Sequence, residues 1–406
     1  MPTAVIDSFT LKPYLGNPAA VCFLARHDVL HDDILQAIAA EMNLSETAFV
    51  FPLPETTTAL AATADGATTA IVTTTTTSAA AATSPLSLGI RWLTPETEVG
   101  FCGHATLAAA HAVFTEPSSQ QVFPFLFSAA ADGAAAAPPA SIRFVGTAPM
   151  AGNVEMTVAP QPMGAWSARA AAALEPAAAV GAEAAACGRH PGFVPARKAH
   201  YVLDFPERMP EPTVLAPDQV AALSAALGLQ GGASDIVEIL LHKPSRKYVV
   251  VVRDATMIAT LRVNASLLAS TFHPPQAAPL SVTVTGSSVG SRFTSTVHGD
   301  HDIVSRHFAP WVGIDEDPVT GAAHIVVAPY WFKKLHTTTG VGATKALRCY
   351  QASARGGWMC VVAGPRPGRL SISASATTMT SGVHYACVNY RRSATSATHV
   401  NADSKL

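Results

Sequence analysis

Residues 306–324 read Arg306-His307-Phe308-Ala309-Pro310-Trp311-Val312-Gly313-Ile314-Asp315-Glu316-Asp317-Pro318-Val319-Thr320-Gly321-Ala322-Ala323-His324, and an earlier stretch echoes them. That stretch is Arg91-Trp92-Leu93-Thr94-Pro95-Glu96-Thr97-Glu98-Val99-Gly100-Phe101-Cys102-Gly103-His104-Ala105-Thr106. Both begin Arg-x-apolar-small-Pro, place Val99 or Ile314 four residues after the proline, and arrive at Gly103 or Gly321, with three extra residues in the second copy. Each copy reads as a loop that feeds the N-terminus of a helix, Ala105–Phe114 in the first and Ala322–Tyr330 in the second. Neither run has a polar face, and a helix apolar all round is enclosed by its domain. Its first amides lack intrahelical partners and form a ready site for a carboxylate or phosphate. Two such ends imply two related halves. If these face each other across a cleft, an anionic ligand between them meets Cys102, His104, Asp317 and Thr320.

A chain of 406 residues can bury one large core or two ordinary ones. Its net charge of −2, with no basic run, gives no electrostatic footprint for nucleic acid or an anionic membrane. The long uncharged segment Gly66–Ile90 is mostly Thr, Ala and Ser, so no transmembrane helix is expected. The six cysteines are widely spaced, without a C-x-x-C pair, and no apolar signal segment opens the chain, which reads as reduced thiols inside a cell. His104 and His111 stand seven apart with no carboxylate or cysteine at a recognised ligand spacing, so no metal is expected.

Along the chain, Val5–Phe9 and Ala19–Leu24 predict strands joined at the turn Gly16-Asn17-Pro18. Ile34, Leu35, Ile38 and Met42 fall on one helical stripe, capped by Asp32 or Asp33 and ending near Asn43, after which Ser45-Glu46 opens a strand. The Thr/Ala-rich tract 56–88 predicts an exposed insertion. Two further alanine-rich tracts run over 128–140 and 165–187. Strand character resumes at Asn153–Val158, which divides the chain into domains 1–150 and 151–392, followed by a tail, 393–406. The second half carries a helix Asp218–Leu227 stopped by Gly228, strands Asp235–His242 and Tyr248–Val252, and a helix capped by Asp254. Strands Trp358–Val362 and Leu370–Ser373 follow. The terminal Ser404-Lys405-Leu406 matches the peroxisomal import signal, which makes a peroxisome-type organelle the expected location and the cytoplasm the alternative.

Five pieces, in order, resemble the phenazine-biosynthesis PhzF-like family, within the wider diaminopimelate epimerase and proline racemase superfamily. They are Asp7-Ser8-Phe9 with Gly16-Asn17-Pro18-Ala19-Ala20-Val21; Glu41-Met42-Asn43-Leu44-Ser45-Glu46-Thr47-Ala48-Phe49; the two glycine loops; and Gln351-Ala352-Ser353-Ala354-Arg355-Gly356-Gly357. The resemblance implies an α+β fold of two pseudo-symmetric domains, each a curved, mostly antiparallel sheet wrapped around a buried central helix. It also implies a homodimer and a cofactor-independent isomerase with its site between the domains. Glu46 is then the general acid/base, with His104 and Asp317 assisting proton movement and Arg355 near the cleft, although Arg355 reads equally well as a surface arginine in a tight turn.

An isomerase without a cofactor removes a proton beside an activating group and returns one elsewhere. It needs an acid/base pair, which Glu46, His104 and Asp317 can supply, and an anchored anion, for which the amides of Gly103, His104, Gly321 and Ala322 are candidate donors. The expected ligand is a small anionic metabolite bound by Gly103, Gly321, Ala322, Thr320 and Cys102. Read singly, Ser45-Glu46 begins a strand, His104 caps a turn and Asp317-Pro318 is a common turn pair. Cys102 admits a second reading, since racemases of the superfamily use a thiol from each glycine loop. A cysteine facing Thr320 resembles the hydroxyproline dehydratases instead. A binding protein that kept the fold without the chemistry is the third. Ala322 stands where PhzF proteins often carry serine, which sets the phenazine precursor apart as a substrate.

Overall fold

The computed structural model describes residues 1–26, 30–53, 86–123, 139–147, 155–161, 198–272, 279–289, 301–339, 346–364 and 366–384. Most of the Thr/Ala-rich insertion, most of 128–140, all of 165–187 and the terminal Ser404-Lys405-Leu406 lie outside the described residues.

The chain opens as an antiparallel pair, β1 (Pro2–Ser8) and β2 (Asn17–Phe23). Gly16 closes it at φ +68°, where an added Cβ would stand 2.1 Å from the Ser8 carbonyl oxygen, so only glycine fits. Helix α1 (Asp32–Met42) crosses to β3 (Glu46–Pro52), which lies parallel to β2. Its stripe Ile34, Leu35, Ile38 and Ala39 packs with Phe49 and Phe51 of β3. His31, rather than Asp32 or Asp33, is the N-cap residue; the two acids occupy the first turn, where the helix dipole favours them, and Asn43 ends the helix in the left-handed conformation. The next strand, β4 (Leu86–Leu93), begins inside the tract expected to be an exposed insertion, with Leu88 buried. The short β5 (Glu98–Val99), the helices α2 (Gly103–Thr115) and α3 (Pro117–Val122), and the strands β6 (Ile142–Gly146), β7 (Glu155–Gln161) and β8 (Lys198–Pro206) complete the first half.

The second half runs β9 (Glu211–Pro212), α4 (Pro217–Leu227), β10 (Ile236–His242), β11 (Lys247–Val252), α5 (Thr256–Thr260), α6 (Ala265–Ser270), β12 (Ser281–Ser287), β13 (Ile303–Ala309), β14 (Ile314–Asp317), α7 (Gly321–Thr339), β15 (Ala346–Gln351), β16 (Gly357–Ala363) and β17 (Arg369–Val383). From β1 to β7 successive pairings are antiparallel, parallel, antiparallel, antiparallel, parallel and antiparallel. From β10 to β16 the same order recurs. The repeated motif also repeats a contact. Arg91 forks onto Glu98 at 2.6 and 2.9 Å, and Arg306 onto Glu316 at 2.7 and 2.7 Å, each tying a strand to the hairpin partner that leads to the helix.

Strand β17 pairs with β16, β8 and β1, closing a ring through β1, β2, β3, β4, β6, β7, β8 and β17. It is 15 residues long, far beyond the expected Leu370–Ser373. Residues 370–376 alternate apolar residues with serine, yet Ser371, Ser373, Ala374, Ser375 and Ala376 are all buried, so both faces of the strand are covered there. Helix α2 is buried from Gly103 to Val113 and packs on β1, β2, β3 and β17, sharing one apolar core with Ile325–Ala328 and Tyr330–Phe332 of α7. Helix α7 continues past Pro329, well beyond the expected end at Tyr330. Proline has no N–H to give to the Ile325 carbonyl one turn back. The Arg208 amide, from the segment after β8, takes that carbonyl at 3.1 Å. A smaller core lies under α4, α5 and α6. No helix among the described residues is long and apolar enough to cross a membrane.

Candidate active site

The N-termini of α2 and α7 face each other: a Cβ placed on Gly103 would lie 3.9 Å from the Ala322 amide nitrogen. Each helix begins with glycine. Glu46, at the start of β3, is brought to the α2 end because β3 pairs with β2, and β2 packs on α2. Its Oε2 lies 3.2 Å from His104 Nε2, yet accepts no well-aligned hydrogen bond and is fully buried.

A polar chain joins the two helix ends. Asn17 Nδ2 donates to Asp317 Oδ1 at 2.8 Å and to the Val319 carbonyl at 2.9 Å. Ser45 Oγ is 3.1 Å from Asn17 Oδ1 and 3.2 Å from His104 Nε2. Cys102 Sγ is 3.2 Å from His104 Nδ1. Ser45 has one proton, and both Asn17 Oδ1 and the Pro18 carbonyl can only accept it, so Ser45 accepts from His104 Nε2–H. The bare Nδ1 then accepts from the Cys102 thiol, a tautomer assigned from the network. On the other side Thr320 Oγ1 donates to Asp317 Oδ2. Gln351 holds this loop by accepting from the Thr320 amide at 2.9 Å and donating to the Asp317 carbonyl at 2.6 Å.

Burial sets the charges. It raises the Glu46 carboxyl above its ordinary value, and the neighbouring charge of Asp317 raises it further. Asp317 is itself raised by burial, against the pull of Thr320, Asn17 and Lys247. The coupled pair therefore favours one negative charge over two. Burial pushes His104 down to about 3, leaving it neutral, and burial with the charge of Glu46 holds the Cys102 thiol well above its usual value. The thiol stays protonated, which removes the lowered thiolate pKa that a Cys102 base would require.

The sequence matches the family described as "Phenazine biosynthesis-like protein" over residues 6–129 and 148–382. The chain belongs to that family. Among relatives of this phenazine biosynthesis-like chain, the mouse "Phenazine biosynthesis-like domain-containing protein 1" is 29% identical, covering 94% of this chain and 98% of its own. An "uncharacterized isomerase" of Pseudomonas aeruginosa is 31% identical over 89% of this chain and 91% of its own. A crystal structure of a phenazine biosynthesis PhzF family protein from Enterococcus faecalis matches with a TM-score of 0.59 and 26% identity, over 95% of this chain and 98% of that one. The fold is thus the sheet-rich mixed α/β fold of the PhzF proteins, and the named relatives support an isomerase.

In this family member the structure gathers Glu46, Cys102, His104, Asp317, Thr320, Gly103, Gly321 and Ala322 at the two facing helix ends. Arg355 stands apart as a clamp. It binds Asp7 Oδ1 at 2.8 Å and the carbonyls of Gly16 and Leu15 at 2.8 and 3.0 Å, fixing the turn from which Asn17 reaches Asp317. Sequence reading gave no role to Asn17, Ser45, Gln351 or Lys247. The first three stand in the resembling pieces, which was the available signal; Lys247 had none. The spacing argument against a metal is corrected in one respect. Ligand-capable atoms of Glu46, Cys102 and His104 lie within 4.8 Å of one another, a through-space group that no sequence spacing reveals. A metal held there would require the carboxylate and thiolate forms that burial disfavours. His111 is structural: Tyr201 Oη at 3.0 Å and Thr378 Oγ1 at 2.9 Å engage its ring.

Proposed function

We propose that this protein is a cofactor-independent isomerase that moves a proton on a small carboxylate-bearing metabolite, with its cleft between two pseudo-symmetric lobes built around α2 and α7. The observation that carries this reading is Glu46: a buried carboxyl with one oxygen free of a well-aligned hydrogen bond, beside a neutral histidine and between two helix N-termini. A buried polar atom left without a partner calls for an explanation, and a proton acceptor waiting for carbon acid is one.

In this reading the first amides of α2 and α7 hold the substrate carboxylate and any developing oxyanion. Glu46, in its ionised form, takes the proton from carbon. The raised pKa makes it a stronger base than an ordinary glutamate and matches it to turnover near neutral pH. Protonated Glu46 then returns the proton at a second carbon of the same substrate. Asp317 keeps Glu46 basic through its charge, and His104 stands beside the carboxyl while remaining neutral. The isomerase names carried by relatives support the reaction class.

The test is a panel of small unsaturated and hydroxylated carboxylates incubated with protein in deuterated buffer and followed by proton NMR. Deuterium entering a carbon together with migration of a double bond is expected, without added metal and unchanged by EDTA. Exchange that disappears with EDTA and returns with a divalent ion would replace Glu46 chemistry with metal chemistry at Glu46, Cys102 and His104.

A further inference from the structure

Proton transfer through Glu46 gives the Cys102 thiol no part, yet Glu46, Cys102 and His104 each place one ligand-capable atom within 4.8 Å of the other two, and all three are buried. Two elements bring them together. Glu46 opens β3, while Cys102 is the N-cap residue of α2 and His104 its second residue. Cys102 Sγ stands 3.2 Å from His104 Nδ1. Glu46 Oε2 stands 3.2 Å from Nε2 of the same ring and has no aligned hydrogen bond of its own.

A zinc-class ion lies about 2.3 Å from a thiolate sulfur and about 2.0–2.2 Å from an imidazole nitrogen or carboxylate oxygen, so tetrahedral ligand atoms stand about 3.3–3.6 Å apart. The cluster already has that scale. Nδ1 of His104 is the bare ring nitrogen that accepts the thiol proton, so an ion in that proton's place meets a sulfur and a nitrogen without a change of tautomer. Nε2–H keeps Ser45 as its acceptor at 3.2 Å, the outer bond that fixes the orientation of a ligating imidazole. Glu46 supplies the third ligand, and three protein ligands leave a fourth position for water or a substrate oxygen. Thiolate and imidazole select a soft or borderline ion over magnesium or calcium. The protonated forms that burial favours are displaced by the ion's own charge: binding releases the thiol proton to solvent, and the Glu46 proton where one is held.

We propose that Glu46, Cys102 and His104 form an inhibitory site for a zinc-class divalent ion, which stops turnover by taking the Glu46 lone pair that would accept the substrate proton. The effect on turnover rests on the role of Glu46 proposed above; the binding of the ion does not. In this account Cys102 is the residue that makes the site selective for soft ions.

The experiment titrates the EDTA-treated, dialysed protein with cobalt(II) and then with zinc, and separately adds zinc, magnesium or calcium to the deuterium-exchange assay. Binding of a single cobalt with a near-ultraviolet sulfur-to-cobalt charge-transfer band is expected, and zinc should displace it. The band should vanish in Cys102→Ala. Cobalt should bind Glu46→Gln about 10-fold or more weaker, since even an outer partner of a ligand is worth about 10- to 100-fold in affinity. The controls are Cys187→Ser and Cys387→Ser, cysteines outside the described residues, which should keep the band. Zinc is expected to lower exchange by about 10-fold or more, EDTA to restore it, and magnesium and calcium to leave it unchanged. A band that persists in Cys102→Ala, or equal cobalt affinity in Glu46→Gln and the intact protein, overturns the site. Exchange that is unaffected by bound zinc overturns the inhibition, and exchange that zinc raises overturns it together with the metal-free reaction. A complete cobalt site in a protein that exchanges no deuterium would sink the isomerase reading and the inhibition, and leave the ion site standing. Exchange without a cobalt band would do the reverse.

Discussion

The loops entering α2 and α7 share a backbone plan and differ in chemistry. Both start from an arginine forked onto a glutamate, and in both a side chain one turn into the helix returns to the N-cap carbonyl: Thr106 Oγ1 to Cys102 at 2.7 Å, His324 Nδ1 to Thr320 at 2.8 Å. The three extra residues of the second loop then make the difference. They lengthen the leading strand from two residues in β5 to four in β14, and they end it on Asp317, paired in register with His307. The first helix end presents neutral groups, His104 and the Cys102 thiol; the second presents a carboxylate with its hydroxyl partner and the ammonium of Lys247. A racemase with two equivalent opposed bases needs like groups at both ends. This asymmetry fits one shuttling carboxyl, Glu46, between unlike supports.

The comparison can be strained at several points. Asp317→Asn should lower kcat/KM by about 10²-fold or more, and it should also move the acid limb of the pH profile downward. The sign follows from the network: removing the Asp317 charge lowers the raised Glu46 pKa, so the basic form persists to lower pH. A loss of rate with the limb unmoved would show that the two carboxyls are not coupled.

Gly16→Ala addresses the scaffold that both loops share through Asn17. At φ +68° with a backbone clash it should cost about 2 kcal/mol or more in urea unfolding. A neutral effect would mean that the β1–β2 turn does not hold Asn17 in place.

Glu46→Gln should stabilise the fold by about 1 kcal/mol above neutral pH and by nothing near pH 4. A carboxyl whose folded pKa lies above its unfolded value gives up stability as pH rises from the unfolded value through the folded one, and glutamine has no such loss. Equal pH dependence of melting in both proteins would remove the strained carboxyl from the account. Cys102→Ala should have the smallest effect, less than about 10-fold in rate, because its thiol is buried and neutral beside His104 and Glu46. Rapid inactivation of the intact protein by iodoacetamide would contradict this.

The sequence reading reached the helix ends and Glu46 because each lies in a continuous motif that carries its own backbone signature. It stopped short in β17, where the alternation over 370–376 passes from Leu370 and Ile372 to alanine and then to a run of threonines, too weakly apolar to mark the strand to its full length. It also stopped where a partner came from elsewhere in the chain. Asn17 lies 300 residues from Asp317, and Gln351 lies 31 residues beyond Thr320. Arg355 could not be decided from its turn alone, since the clamp on Asp7 and Gly16 is made 348 and 339 residues away. The expected helix ended at Tyr330, and the observed one runs on past Pro329, where the Arg208 amide takes the Ile325 carbonyl that proline leaves open.

The most direct measurement follows deuterium entry at the reacting carbon, once a substrate from the panel turns over, in the intact protein, Glu46→Gln and Cys102→Ser side by side. Glu46→Gln preserves the shape of the side chain and cannot accept a proton, so exchange should fall by about 10² to 10⁴ while Cys102→Ser stays within about 10-fold of the intact protein. Undiminished exchange in Glu46→Gln, together with its loss in Cys102→Ser, would contradict the assignment and transfer the proton to the thiol.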